Sequence, residues 1–135
     1  MKRKEKTEGK IMDLNKLANL LVPDENVRPL DYYEELYPER NLPKGAEVTR
    51  LAPSPTGFMH LGNLYVAIAN ERIAHQSGGV FYLRIEDTDE KRKVEGAVEV
   101  IHSSLKYFGI TFDEGADLSG GYGPYYQRRR AEIYH

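Results

Sequence analysis

The run Arg50-Leu-Ala-Pro-Ser-Pro-Thr-Gly-Phe-Met-His-Leu-Gly-Asn63 limits the fold of this chain more than any other feature. Before it, Glu47-Val-Thr-Arg-Leu-Ala52 is a β-forming segment. After it, Leu61, Leu64, Tyr65, Ile68, Arg72 and Ile73 recur along one helical stripe and predict a helix from Leu61 to Gln76. Between the two, Pro53 and Pro55 fix φ and stiffen the turn. Gly57 and Gly62 permit a sharp bend and close approach of backbone to ligand. A strand that passes through a stiff turn into a helix N-terminus is where α/β folds hold phosphates.

The segments that follow repeat this order. Gly78-Gly79 stops the first helix. Val80-Phe-Tyr-Leu-Arg-Ile85 is a second strand, apolar enough to be a buried parallel one. Val94, Ala97, Val98, Ile101, Leu105 and Phe108 give a second helix, ended by Gly109. Ile110-Thr-Phe112 is expected as a short strand, Gly115 to Pro124 as a glycine-rich loop, and Tyr125 to His135 as the start of a further helix. Strand–helix–strand–helix order predicts an α/β fold with a parallel sheet and right-handed crossovers.

Residues 1–45 stand apart from this pattern. Residues 1–10 are polar and expected to fray, and Ile11, Leu14, Leu17, Ala18 and Leu21 predict a short helix ending near Pro23. Leu30, Tyr33, Leu36 and Tyr37 suggest another helical piece, and Pro38, Asn41, Pro43 and Gly45 form a linker. This helical extension either packs on a neighbour or remains a partly ordered arm. The α/β pattern stops in mid-element at His135, and so few strands leave a sheet uncovered. The chain is therefore expected to be the N-terminal piece of a longer protein.

Composition narrows the function classes. Lys+Arg is 19 and Asp+Glu is 21 in 135 residues, a net charge of −2, so any RNA contact must come from a local patch. The absence of cysteine excludes a disulfide framework and a Cys-ligated zinc site. No apolar run is long enough for a membrane span. Asp13, Asn15 and Lys16 interrupt what would be the apolar region of a secretory signal, so a cytoplasmic protein without a membrane partner is expected.

The residue chemistry points to a site with open alternatives. His60, at the helix start, can converge with the free helix N–H groups on a phosphate, and Asn63 can add a donor from the first turn. The plainer reading is a proline-stiffened loop with a capping residue. Arg50 and Glu86 fall at the carboxyl ends of the two strands, where open α/β sheets bind ligands. The guanidinium fork of Arg50 suits a carboxylate, and a structural salt bridge is its alternative. Glu86-Asp-Thr-Asp89 can be an acidic loop in which Asp87, Thr88 and Asp89 cap helices, or a magnesium site. Tyr122 to Arg130 combines aromatics with Arg128, Arg129 and Arg130, as an RNA-contacting patch or a solvated helix start. Lys91, Arg92 and Lys93 carry the same two readings.

The opening run resembles the signature of bacterial-type glutamyl-tRNA synthetases, members of the class I aminoacyl-tRNA synthetases. The likeness continues through Gly79-Val-Phe-Tyr-Leu-Arg-Ile-Glu-Asp-Thr-Asp89, Phe112-Asp-Glu-Gly115, and Tyr122-Gly-Pro-Tyr125 with Gln127, Arg130 and Tyr134. It covers roughly residues 46–135, and Leu17 to Pro43 is similar to an extension found in a subset of the family. The resemblance implies the N-terminal half of a Rossmann-like catalytic domain. It implies a glutamate-tRNA ligase, in which the carboxylate of glutamate attacks the α-phosphate of ATP. Glutamyl-adenylate then passes its acyl group to the terminal ribose of tRNA. ATP with Mg²⁺, L-glutamate and tRNA(Glu) are the implied partners, without DNA.

By the same resemblance, His60 and Asn63 are the catalytic residues, and His60, Gly62 and Asn63 bind ATP, with Gly62 making room for the nucleotide. Arg50, Ala52, Ser54 and Glu86 bind glutamate, with Arg50 on its side-chain carboxylate and Glu86 on its α-ammonium. Arg92, Tyr125, Gln127 and Arg130 meet tRNA, and no residue is assigned to a metal. Two departures matter. Arg128 follows Gln127 where the family has serine, and the Lys-Met-Ser-Lys-Ser-like loop, the tRNA-binding domain and the anticodon-binding domain are absent from the 135 residues. The chain then holds half an active site and is expected to be inactive alone. Two rivals remain. One is the truncated paralogue that attaches glutamate to a modified tRNA base, which usually carries zinc-binding cysteines and lacks the extension. The other is a non-catalytic RNA-binding or assembly module, against which the intact Arg50, His60, Asn63 and Glu86 argue.

Overall fold

The computed structural model describes residues 13–21 and 28–134. Ile11, Pro23, the polar residues 1–10 and His135 lie outside the described residues. The elements in chain order are α1 (Leu14–Leu21), α2 (Leu30–Leu36), β1 (Val48–Leu51), α3 (Leu61–Ser77), β2 (Val80–Leu83), α4 (Ala97–Tyr107), β3 (Glu114–Gly115) and α5 (Ala131–Tyr134). Two 3₁₀ turns, Glu90–Arg92 and Gln127–Arg130, flank the second half of the chain.

The sheet is parallel throughout, in the order β1-β2-β3. Val48 faces Val80 and Leu51 faces Leu83, and Tyr82 faces Glu114. The α/β fold expected from the sequence is therefore present, with two differences. Ile110 to Phe112 does not form the third strand. Ile110 is buried and the Phe112 ring stacks on Phe81 at 4.6 Å, so these apolar side chains fill the core beneath the sheet. Asp113 then takes the Phe81 amide on its carboxylate at 2.7 Å and donates its own N–H to Phe81 O at 2.9 Å, and the strand itself starts at Glu114. Nor does a helix start at Tyr125. The chain there is extended, and Ile85 donates to Tyr125 O while Gln127 donates to Ile85 O, each at 2.9 Å. The ladder thus gains one more parallel bridge before the 3₁₀ turn.

Helix α3 also presents a face other than the expected stripe. Ala67, Glu71 and Ala74, spaced by four and three, are its buried residues. Small side chains let its backbone lie close to β1 and β2, where bulkier ones would not fit. Leu61 and Tyr65 are instead 81% and 74% exposed, with Ile68 and Ile73 also on the outer side. Gly78 ends the helix in a left-handed conformation (φ 73°), which glycine adopts without a Cβ penalty. Gly79 then brings β2 against β1 so closely that a Cβ there would sit 1.9 Å from Glu47 O. In α4 the expected face is largely the observed one, with Ala97, Ile101 and Leu105 buried, though Val94 and Phe108 remain about half exposed.

The N-terminal extension packs where it approaches the α/β segment. Tyr37 donates to Gly123 O at 2.8 Å, and Tyr122 donates to Pro38 O at 2.9 Å. The Tyr37 and Tyr122 rings stack at 6.5 Å, and the Arg40 guanidinium lies 3.7 Å over the Tyr122 ring. Arg40 also pairs with the buried carboxylate of Glu114 on β3. Burial pulls the Arg40 pKa down, but Glu114 outweighs it and holds the guanidinium above its usual value. Residues 37–40 therefore clasp the glycine-rich loop and the edge strand.

Candidate active site

Strand β1 delivers the 52–63 run to the carboxyl edge of the sheet, and two backbone hydrogen bonds fix its path. Glu86 N donates to Pro53 O at 3.0 Å and Val94 N to Pro55 O at 2.9 Å. Both prolines are buried, whereas Ser54 between them is exposed. Prolines need no partner for a missing N–H, so only their carbonyls enter the ladder. A cavity of about 320 Å³ opens against this run, and Ala52, Ser54, His60 and Asn63 all line it.

His60 is the N-cap of α3. Its own N–H donates to Asn63 Oδ1 at 3.3 Å, so the amide of Asn63 caps the residue that caps the helix. This engages the Asn63 oxygen and leaves its Nδ2 hydrogens as donors toward a ligand. In the first turn of α3 the Asn63 N–H already donates to His60 O at 3.0 Å, which leaves the N–H groups of Leu61 and Gly62 at the positive end of the helix. The arrangement suits a phosphate. Gly62 has a neighbour that the sequence did not indicate. A Cβ at this position would lie 3.0 Å from both Cε1 and Nδ1 of His60. The missing side chain makes room first for the histidine ring.

Arg50 and Glu86 do not line that cavity. They face each other at the ends of β1 and just beyond β2, with Arg50 Nη2 3.9 Å from Glu86 Oε1 and both side chains about one-third exposed. At this separation the two form an ion pair, the alternative the sequence left open for Arg50, and both side chains stay open enough to turn toward a ligand of opposite charge. Arg84, which sequence reasoning left out, completes the group by donating from Nη2 to the same Oε1 at 2.9 Å. The signal was present: Arg84 is the lone charge within Val80–Ile85, and side chains two residues apart in a strand share a face.

The rest of the acidic run is structural. Asp89 caps the Glu90–Arg92 turn and accepts from Arg92 Nε at 2.6 Å, which holds its carboxyl below the usual carboxylate range. Asp87 is buried and accepts from Arg128 N at 3.0 Å. Arg128 also pairs with Glu90, so the residue that stands in place of the family serine ties the two basic segments together. Among the described residues no cluster of three or more histidine or acidic side chains is placed to hold a metal.

The four residues expected to meet tRNA divide by exposure. Arg92 is exposed on its 3₁₀ turn. Arg130 lies 5.4 Å over the Tyr37 ring and donates to Pro124 O at 3.4 Å. Gln127 is held by its backbone to Ile85. Tyr125 is only 7% exposed and receives a hydrogen bond on its hydroxyl from Tyr122 N, with burial pushing its phenol pKa up. Its ring is part of the core and supports the patch from beneath. A larger cavity of about 560 Å³ lies between the 93–99 segment and Tyr126–Arg129. It mixes acidic and basic groups, and Tyr126 there donates to Asp117 at 2.6 Å. Arg50, His60, Asn63 and Glu86 take no part in it.

Comparison with known proteins was decisive on ancestry. Residues 47–135 match the family model described as tRNA synthetases class I (E and Q), catalytic domain. The chain is 63% identical over 127 residues to a glutamate–tRNA ligase of Acetivibrio thermocellus and 52% identical over 127 residues to one of Clostridium perfringens. Each alignment takes in 91% of this chain, and so reaches well into residues 1–45, but only 23% of the relative. The chain thus spans about a quarter of the length of these curated relatives. Among solved structures, a glutamate tRNA ligase from Elizabethkingia meningosepticum in complex with its amino acid is similar with a TM-score of 0.62 and 45% identity, over 64% of this chain and 17% of that one. A glutamate-tRNA synthetase from Elizabethkingia anophelis gives 0.64 and 44%, over 66% and 18%.

Proposed function

The chain belongs to the class I tRNA synthetases (E and Q) through their catalytic domain, and we propose that it forms the first part of a glutamate–tRNA ligase. In this reading residues 1–45 are an N-terminal extension, and residues 46–135 are the first half of the catalytic domain. The observation that carries it is one edge of the sheet. There, Ala52, Ser54, His60 and Asn63 surround a single cavity at the N-terminus of α3, and the opposed charges of Arg50 and Glu86 stand at the strand ends.

Arg50 would hold the side-chain carboxylate of glutamate with its guanidinium fork, which favours glutamate over neutral glutamine. Glu86 would hold the α-ammonium, and Ala52 and Ser54 would flank the bound amino acid. An oxygen of the α-carboxylate then attacks the α-phosphorus of ATP, the bond to pyrophosphate breaks, and glutamyl-adenylate forms. His60, the Asn63 amide and the free α3 N–H groups would bear on the phosphate charge that grows in this step. A ribose hydroxyl at the end of tRNA next attacks the acyl carbon and releases AMP. Arg92, Gln127 and Arg130, supported by Tyr125, are the proposed tRNA contacts. Magnesium would accompany the nucleotide. No carboxylate lines the cavity, so no residue of this chain is assigned to the ion. This reading places the ligase in the cytoplasm.

The test is glutamate-dependent exchange of pyrophosphate into ATP by the complete ligase. Arg50→Ala is expected to raise the KM for glutamate by about 10- to 100-fold, the size of a lost bidentate charge-assisted contact. An unchanged KM would remove the role given to Arg50. The 135-residue chain alone is expected to bind ATP and glutamate weakly and to charge no tRNA, so glutamylation of tRNA by the purified chain would overturn the assignment of half a site.

A further inference from the structure

Glu86 faces a conflict that the proposed function does not resolve. Its carboxylate must remain ionised and turned toward the ligand, yet Arg50 stands 3.9 Å away and is needed for the opposite end of the amino acid. Without another partner at Oε1, the Glu86 carboxylate is free to swing toward Arg50 and away from the ligand's α-ammonium. Arg84 is the nearer partner. Its Nη2 holds Glu86 Oε1 at 2.9 Å, a full ångström closer than Arg50. The backbone supports that contact on both sides, since Arg84 N donates to Leu51 O and Glu86 N to Pro53 O, each at 3.0 Å. Arg84 is much more buried than Arg50, with its side chain 17% exposed against 39%. Its Nε is fully buried without a hydrogen-bond partner. Burying such a donor is costly, and an apolar residue at this position just after β2 would avoid the cost. The retained charge therefore has a use.

We propose that Arg84 is a positioning residue for glutamate selection. It occupies Oε1 of Glu86 and leaves Oε2 for the α-ammonium of the amino acid. The proposal rests on the assignment of Glu86 to the α-ammonium.

The experiment uses the complete ligase and two ligands that differ at one group. Glutamate is measured by its KM in pyrophosphate exchange. Glutarate, which keeps both carboxylates but lacks the ammonium, is measured as a competitive inhibitor. Arg84→Gln is expected to raise the KM for glutamate about tenfold, the size of one charge-assisted hydrogen bond. The inhibition constant of glutarate and the KM for ATP stay unchanged. Arg84→Lys, which keeps the charge and one donor, restores most of the loss and guards against a variant that fails to fold. Glu86→Gln gives the same selective loss, and adding Arg84→Gln to it costs nothing more. If glutarate and ATP weaken in parallel with glutamate, or if the two losses multiply in the double variant, Arg84 does not act through Glu86 and the proposal is overturned. If Glu86→Gln spares the KM for glutamate, the ammonium assignment itself has failed, and the proposal falls with it for that separate reason.

Discussion

Replacing Gly62 with alanine should separate stability from catalysis. The added Cβ would lie 3.0 Å from Cε1 and Nδ1 of His60, whereas unstrained carbon contacts begin at about 3.5 Å. The ring must therefore retreat by roughly 0.5 Å. His60 is exposed, so it has space to do so without disturbing the core. Alanine is also better than glycine in a helix by about 0.5–1 kcal/mol, which offsets the crowding. The net change in unfolding free energy should stay within about 0.5 kcal/mol of zero. Catalysis has less tolerance, because a reacting group misplaced by about 1 Å can cost about 100-fold, and half that displacement about tenfold. In pyrophosphate exchange by the complete ligase, kcat should fall about tenfold, while the KM for glutamate holds because Arg50 and Glu86 are untouched. Full retention of kcat would show that the His60 ring position is unimportant. A loss of stability above about 1 kcal/mol would show that the ring cannot move aside.

Three further outcomes follow from the packing. His75 donates to Glu71 and Asp113 at 3.0 Å each when protonated, and although burial opposes the charge, the two carboxylates raise its pKa above 6.5. Its stabilising effect is complete below the unfolded value and disappears as pH rises through the folded one. Urea unfolding should therefore show His75→Gln destabilised by about 0.5–1 kcal/mol near pH 5.5 and nearly neutral near pH 8.5. Arg40→Met should cost about 1.5–3 kcal/mol by leaving Glu114 buried without its cation, and Glu114→Gln in the same background should recover most of it, as a double-mutant cycle by thermal unfolding would show. Tyr65→Ser, on the outer face of α3, should change the unfolding free energy of this chain by less than about 0.5 kcal/mol.

The order of elements was legible because its signals are local. Prolines, the Gly78–Gly79 stop and the apolar run of β2 fix their own neighbourhoods, and they are where the sequence placed them. The packed face of α3 was not legible. Hydrophobicity selected Leu61, Tyr65 and Ile68, but the distance between helix and sheet selected Ala67 and Ala74. Close approach depends on size, and the Gly79 contact with Glu47 shows how tightly this region is drawn together. The third strand failed for a related reason. Ile110 and Phe112 look like strand residues because they are apolar, yet apolarity serves the core equally well. Where they end, Asp113 meets Phe81 through both its carboxylate and its backbone N–H, contacts spanning 32 residues that no local pattern carries.

At the site, sequence reasoning named the groups proposed to meet a ligand but not the groups that hold them. Arg50, Ser54, His60, Asn63 and Glu86 stand in motifs whose residue types announce a chemistry. Their supports are ordinary residues whose function is positional. Gly62 clears the His60 ring, the Asn63 oxygen fixes the His60 backbone, and Arg84 engages Glu86. Arg128 shows the same limit from the other side. It looked like a departure from the family, yet its backbone N–H meets Asp87 and its side chain meets Glu90, so the change is absorbed by a contact between segments. A motif specifies which atoms are present. The charge each atom presents to a ligand depends on what already occupies its other lone pairs and donors, and at Glu86 one oxygen already accepts from Arg84 at 2.9 Å.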